Sequence, residues 1–346
     1  MIIDETAWGK FFKNFDVYDC TYGFEHDRVG LLLIEILNED HEEYDNPWYT
    51  PKKKLISIVI NNPPEKRVFS MILENVSLAT ISSGWNPSQS EFVISSTDRQ
   101  VVSYKTREYK GVENRIDTPI PGSSDLKPAI SKVIRVGSSV YAIGGAFRIY
   151  KRITHQVWDE CSKTLPVPDG YIEGKAEAIS RSLFKDLSGF SESDMYAVGG
   201  MGTVYHFDGK KWQQITFPTN KLLYTVCCGG DGFVYIADFD GAIWKGRDEK
   251  WEKIINGAMS MPFLDMGWFD GRLWCASDYG IWVLEDEKLV LAMYAKYKPI
   301  PPEVAVLSKR IDVSPDGTVM MVCGSRGVAI CNGNEWNVLF DSMEFE

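Results

Sequence analysis

The chain has 346 residues, 44% of them hydrophobic and 25% charged, and its 37 basic and 48 acidic side chains leave a net charge of −11. Such a composition belongs to a folded globular protein with a sizeable core and excludes a low-complexity or disordered chain. The acidic balance argues against nucleic acid as a partner and suits a basic protein surface better.

The first ten residues, MIIDETAWGK, carry two early acids and no apolar stretch, so no secretory signal is expected. TAWGKFFKNF (6–15) predicts a short amphipathic turn of helix. Four apolar runs follow, DVYDCTY (16–22), RVGLLLIEIL (28–37), KLISIVI (54–60) and RVFSMIL (67–73), which would build one divergent four-stranded unit over residues 1–74. The stretch VGLLLIEIL (29–37) is half a membrane span and contains Glu35, so no spanning helix is expected. Between the second and third runs, NEDHEEYDNPWYTPKKK (38–54) packs five acids around His41 ahead of Tyr44, Trp48, Tyr49 and three lysines. It reads either as a solvated loop or as a contact loop, because exposed Trp and Tyr beside charge make binding hot spots. The spacing of a calcium-binding loop is absent.

From residue 75 to 340 one pattern recurs six times. It reads FVISSTDRQVVSY (92–104), VYAIGGAFRIY (140–150), MYAVGGMGTVYHFDGKKW (195–212), VYIADFDGAIWKGRDEKW (234–251), LWCASDYGIW (273–282) and VMMVCGSRGVAI (319–330). Equivalent marks at Val93, Ala142, Ala197, Ile236, Cys275 and Met321 are spaced 49, 55, 39, 39 and 46 residues apart. That period belongs to propellers and repeat arrays. Ahead of most copies lies a further run, as in SLATISS (77–83), ISKVIRV (130–136), LYTVCC (223–228), FLDMGWF (263–269) and KRIDVS (309–314). Asp231-Gly232, Asp270-Gly271 and Asp316-Gly317 mark hairpins, because the turn needs positive φ and glycine adopts it freely. A fourth run opens on an aromatic residue, as in WQQITF (212–217) and WNVLF (336–340). KAEAISRSLF (175–184) predicts a second short helix.

The unit is therefore a four-stranded antiparallel meander. Its strands are apolar on both faces, where a sheet with one wet face would alternate. Sheets covered on both sides by their neighbours meet that requirement when they stack radially. The expected fold is all-β: a single β-propeller domain over residues 1–346 with seven blades, or six and an N-terminal cap. Trp158, Trp212, Trp251 and Trp336 would pack between blades. The stretch DMYAVGGMGTVYHFDGKKW (194–212) also resembles the AVG-x-x-G…D-G-x-x-W repeat of bacterial propellers of the photosystem II assembly-factor, kelch-like and WD-repeat-like groups. The resemblance is closest over 194–255 and implies architecture alone, since those groups share a fold and differ in function. Gly-His and Trp-Asp dipeptides of true WD repeats are missing, and SDYGIW (277–282) matches the Asp-box of sialidases only in part.

No constellation for catalysis emerges. The four histidines, His26, His41, His155 and His206, include no HExxH or i, i+4 pair, so no metal site is expected. There is no GxSxG elbow or phosphate-binding glycine loop, and no cofactor is implied. Seven cysteines without a CxxC pair read as reduced core thiols of a cytoplasmic protein. Loops between the second and third strands should emerge on the ring face that also carries the links between blades. That face would present Asp98, Arg99, Arg148, Asp238, Asp240, Asp278, Tyr279 and Arg326, joined by Trp48 and Tyr49. The proline-bearing links 118–128, 162–177 and 297–303 would lie there too. The expected function is a monomeric, non-catalytic propeller that binds a protein and does not engage a membrane. An inhibitor or immunity protein occluding a basic toxin domain is the specific expectation. A glycan-binding or hydrolytic propeller using the ring-face acids and an assembly chaperone are the alternatives.

Overall fold

The computed structural model describes residues 1–39, 41–87, 91–105, 109–257 and 262–345; Asp40, one of the acids around His41, lies outside them. Over these residues the chain forms seven four-stranded antiparallel sheets, each a meander built from one contiguous stretch. The innermost strands of blades 1 to 7 are Phe15–Tyr22, Ala79–Gly84, Ile130–Val136, Phe184–Ser191, Leu223–Cys228, Asp265–Phe269 and Arg310–Val313. Each neighbours the next, and the seventh returns to the first, so the sheets close a seven-bladed propeller around an axial channel. Residues 1–74 supply the first blade, and the two predicted helices are present as Glu5–Phe11 and Ala176–Arg181.

The apolar clusters show why the ring is needed. Each of seven clusters lies between two adjacent blades and draws residues from both. Between blades 3 and 4, for example, Tyr141, Ile143 and Ile149 meet Phe184, Leu187, Ala197, Tyr205 and Trp212. Tyr196, Val198 and Val204 meet Val226, Val234 and Ile236 between blades 4 and 5. A single sheet would leave one such face in water, at about 25 cal/mol per Å² of apolar area. The outer-strand tryptophans pack as expected. Trp212 is buried, while Trp158, Trp251 and Trp336 cover their clusters half-buried.

The Gly-Gly pairs of AIGG and AVGG have a steric cause. A Cβ on Gly144 would lie 1.9 Å from the Ala129 carbonyl oxygen, and one on Gly199 would lie 2.1 Å from that of Leu183. In both blades the incoming link runs against the end of the second strand. The next residue, Gly145 or Gly200, donates its N–H to that same carbonyl at 2.9 and 3.1 Å.

Ring closure uses no shared strand. The N-terminal segment does it instead: the N–H groups of Ile2 and Ile3 donate to the Leu339 carbonyl of blade 7 at 3.0 and 3.2 Å. Trp8 and Phe12 of the first helix stack, and both rings meet Phe340.

Trp212→Ala should cost about 4 kcal/mol of stability, the range for emptying a buried aromatic site. Trp251→Ala, at a half-buried position, should cost less. Urea denaturation of both variants checks the order, and equal midpoints would contradict the role given to Trp212.

Candidate functional site: the loop-bearing face and the axial channel

The turns between second and third strands form one face with the links between blades. Their backbone is tied to the links on both sides. Thr97 N donates to Leu78 O, Gly145 N to Ala129 O, Gly200 N to Leu183 O and Phe239 N to Leu222 O, at 2.8 to 3.1 Å. The same turns reach the following blade through Ile130 N to Thr97 O, Gly202 N to Lys221 O and, across the closure, Val17 N to Ser325 O. The backbone of these turns is thereby fixed to the links and the neighbouring blades.

The predicted site residues divide on this platform. Trp48, at 90% exposure, and Tyr279, at 60%, project into solvent, and Asp278 is exposed beside Tyr279. Tyr49 is occupied, its hydroxyl donating to Glu35 Oε2 at 2.6 Å. The burial of Glu35 raises its carboxyl, but the Tyr49 and Lys52 hydrogen bonds outweigh this and hold it below its usual value. Asp98 accepts from Ser77 at 2.7 Å and pairs with Arg115 at 3.1 Å, while Arg99 is half-buried in a left-handed turn with φ 73°. Asp240 pairs with Lys221, and Arg326 grips Asp341 through two nitrogens at 3.2 and 2.8 Å.

Two expectations fail. Arg148 is fully buried, and its guanidinium donates to the carbonyls of Ala146, Ser162, Leu165 and Pro166 and to Glu160, so it anchors the 162–177 link and faces no partner. Asp238 is also buried, its Oδ1 accepting from Asp240 N at 3.0 Å and Ala242 N at 2.9 Å to close its own turn. In both cases a charged residue in a turn satisfies local backbone groups, as short polar side chains and buried guanidinium groups commonly do. The links are likewise packed, with Ile120, Tyr171, Ile300 and Val304 buried. Shortening 297–303 would therefore remove the buried Ile300 as well as surface. Of the ring-face acids, Asp98, Asp238 and Asp240 are engaged in turns and ion pairs, whereas Asp278 stays exposed.

The sequence reading missed the channel. A polar residue at one register of the innermost strands reaches the backbone of the next blade. Asp19 Oδ2 accepts from Ile81 N at 3.0 Å, Thr80 Oγ1 from Val133 N at 2.9 Å, Asp186 Oδ2 from Val226 N at 3.0 Å and Asp265 Oδ2 from Ile311 N at 3.4 Å. Asp312 Oδ2, two residues beyond Arg310 in the blade 7 strand, accepts from Tyr22 N at 2.7 Å and ties blade 7 to blade 1. Cations fill the axis between them. Lys132 donates to Asp186 at 2.8 Å and Asp265 at 3.3 Å, reaching blades 4 and 6 from blade 3. Arg135 bonds Asp312 at 2.9 Å and the carbonyls of Tyr22 and Val313. A cleft of about 410 Å³ opens beyond them on the opposite face. Burial alone would lower Lys132, but Asp186 and Asp265 more than offset it and hold the ammonium raised. Burial pushes Asp265 up to about 6, against Lys132 and with the added repulsion of Asp186. The signal was present as one or two charges inside five of the apolar runs: VYDC, ISKVI, FKDL, FLDM and RIDV.

No family model matches the chain. Over 144 residues it is 32% identical to the Immune protein Tsi7 of Pseudomonas aeruginosa, a match spanning 42% of this chain and 45% of that protein. The chain thus covers less than half the length of this curated relative. Among solved structures, a catalytically inactive virginiamycin B lyase from Staphylococcus aureus with quinupristin superposes with a TM-score of 0.60 at 10% identity, covering 91% of this chain and 93% of that one. YCF48 bound to a D1 peptide gives 0.57 at 14% identity, with 92% of each chain covered. YCF48 from Cyanidioschyzon merolae gives 0.57 at 10% identity over 92% and 95%. These likenesses establish the β-propeller fold and, at such identities, nothing further.

A folded-state value above the unfolded one means that the folded protein holds more protons, so the Asp265 contribution is present at low pH and lost as pH rises through about 6. Acidifying from neutrality towards pH 5 should therefore favour the wild type relative to Asp265→Asn. Urea midpoints of the pair across that window check the sign; a gap independent of pH would refute it.

Proposed function

We propose that this chain is a non-catalytic immunity-type propeller that binds a bacterial toxin through the loop-bearing face and blocks it by occlusion. The observation that carries the reading is the 32% identity over 144 residues to an immune protein. The geometry supports it in two ways. The face carries large exposed side chains: Trp48, Phe239, Tyr279 and Met201, the last three from the turns of blades 4 to 6. Aromatic side chains fixed on a scaffold are the usual anchors of protein interfaces, because little freedom is lost when they are covered. Three of the four acids that a hydrolytic reading requires are also already committed, Asp238 to its turn, Asp98 to Arg115 and Asp240 to Lys221, leaving Asp278 exposed.

The net charge of −11 would steer the approach of a basic toxin domain. The protein acts as a monomer in the cytoplasm in this reading, where its seven free thiols stay reduced.

Affinity capture from the native cell, followed by co-production of chain and captured protein in a sensitive host, tests the proposal: rescue of growth is expected. Phe239→Ala and Tyr279→Ala should each weaken binding by tenfold or more, about 1.4 kcal/mol. Their thermal stability should be unchanged because both side chains are exposed. Added salt should slow association. Turnover of a glycan substrate that disappears in Asp240→Ala would replace this reading with the enzymatic one.

A further inference from the structure

On the loop-bearing face the innermost strands are irregular at one place. The pairing register skips Tyr18 in blade 1, Ser131 in blade 3, Lys185 in blade 4 and Tyr224 in blade 5, each immediately before the residue of the channel layer. Such bulges re-aim a side chain at the rim of a closed sheet. Ser131 turns inward to the carbonyls of Ile143 and Phe184. The other three, with Lys309 ahead of the blade 7 strand, surround the axial mouth. Lys185 Nζ lies 5.6 Å from the Tyr224 ring centre and Lys309 Nζ lies 5.4 Å from that of Tyr18. All four are half-buried. The Tyr18 hydroxyl is within electrostatic reach of Arg310 and, across the channel, of Tyr224.

Among the described residues, Lys185 and Lys309 lack the carboxylate that several cations of this face hold. Elsewhere on the face Lys221, Arg115 and Arg326 each hold a carboxylate. Below the mouth, Asp186 and Asp265 are taken by Lys132, Asp312 by Arg135, and Asp19 by two backbone N–H groups beside Arg310. Lys185 and Lys309 meet only tyrosine faces and have no carboxylate partner among the described residues. Burial lowers Lys185 and nothing counteracts it, the signature of an ammonium group that is partly stripped of water and left uncompensated. The Nε of Arg310 also makes no hydrogen bond. In a chain with 48 acids against 37 bases, two unpaired lysines on tyrosine walls are a local inversion of charge.

We infer that the axial mouth is a seat for a carboxylate of the bound protein, an acidic side chain or chain end that inserts between Lys185 and Lys309 over Tyr18 and Tyr224. This rests on the protein-binding reading above and deepens it. The partner surface is basic where it meets the acidic body and carries one acidic projection at its centre. Each ammonium donates to the carboxylate oxygen, and the tyrosine rings exclude water from the pair, which strengthens it.

The test uses a fluorescein-labelled tetraglutamate peptide with a free C-terminus, at low salt, on the full chain. Saturable binding is expected, with chemical-shift changes centred on Tyr18, Lys185, Tyr224 and Lys309. The double variant Lys185→Gln/Lys309→Gln should bind the peptide about tenfold or more weakly, the loss of one to two charge-assisted hydrogen bonds. Lys185→Arg should retain binding, and unchanged thermal melting shows that the variants fold. Equal binding by the double variant, shifts elsewhere on the surface, or preference for inorganic phosphate over the peptide would each overturn the inference. The captured partner separates the two proposals. If Phe239→Ala weakens it and Lys185→Gln/Lys309→Gln does not, the docking face stands and the carboxylate seat falls.

Discussion

Each sheet of this protein is apolar on both faces, and a four-stranded sheet cannot hide both by itself. Everything else follows from that constraint. Seven clusters, each shared by two blades, leave no blade with a face of its own, so no blade has an independent core. The last interface must also close. Without a strand exchanged between the first and last blades, closure falls to the N-terminal segment, to Trp8 and Phe12 against Phe340, and to the Asp312 bond with Tyr22 N.

The channel adds a second kind of bond between blades. Innermost strands of neighbouring blades are too far apart to form a ladder, and their mutually facing N–H groups need acceptors. Short side chains supply them: Asp19, Thr80, Asp186 and Asp265 at one register, and Asp312 one layer further along the channel. Four carboxylates so close to one axis require cations, and Lys132, Arg135 and Arg310 provide them. Burying charge in this way adds little net stability, but removing one partner leaves the other stranded. The network thus fixes the relative placement of blades that apolar packing alone would hold less specifically. The loop-bearing face above it presents Trp48, Phe239 and Tyr279 to solvent.

Some of the site was readable in advance and some was not. Tyr279 and Trp48 lie in turns between second and third strands, and their exposure follows from that position. Arg148 occupies the same kind of turn and is wholly buried, because the 162–177 link folds over it and offers three carbonyls. Nothing local distinguishes the two cases; a distant segment decides. The same is true of Asp238, whose turn turns its carboxylate back onto its own N–H groups. The seat at the axial mouth lay still further from view. Tyr18, Lys185, Tyr224 and Lys309 come from four blades and meet only when the ring is closed.

By itself, the order of residues determined the repeat, the four-stranded unit, the Asp-Gly hairpins and the need for the sheets to cover one another. These depend on side-chain periodicity and turn chemistry within about forty residues, which is the range over which a chain encodes its own local shape. Tertiary structure decided which charges are buried, which are spent on the backbone of the next blade and which are left over at the mouth. Burial and pairing are properties of surroundings, and those surroundings are assembled from residues hundreds of positions apart.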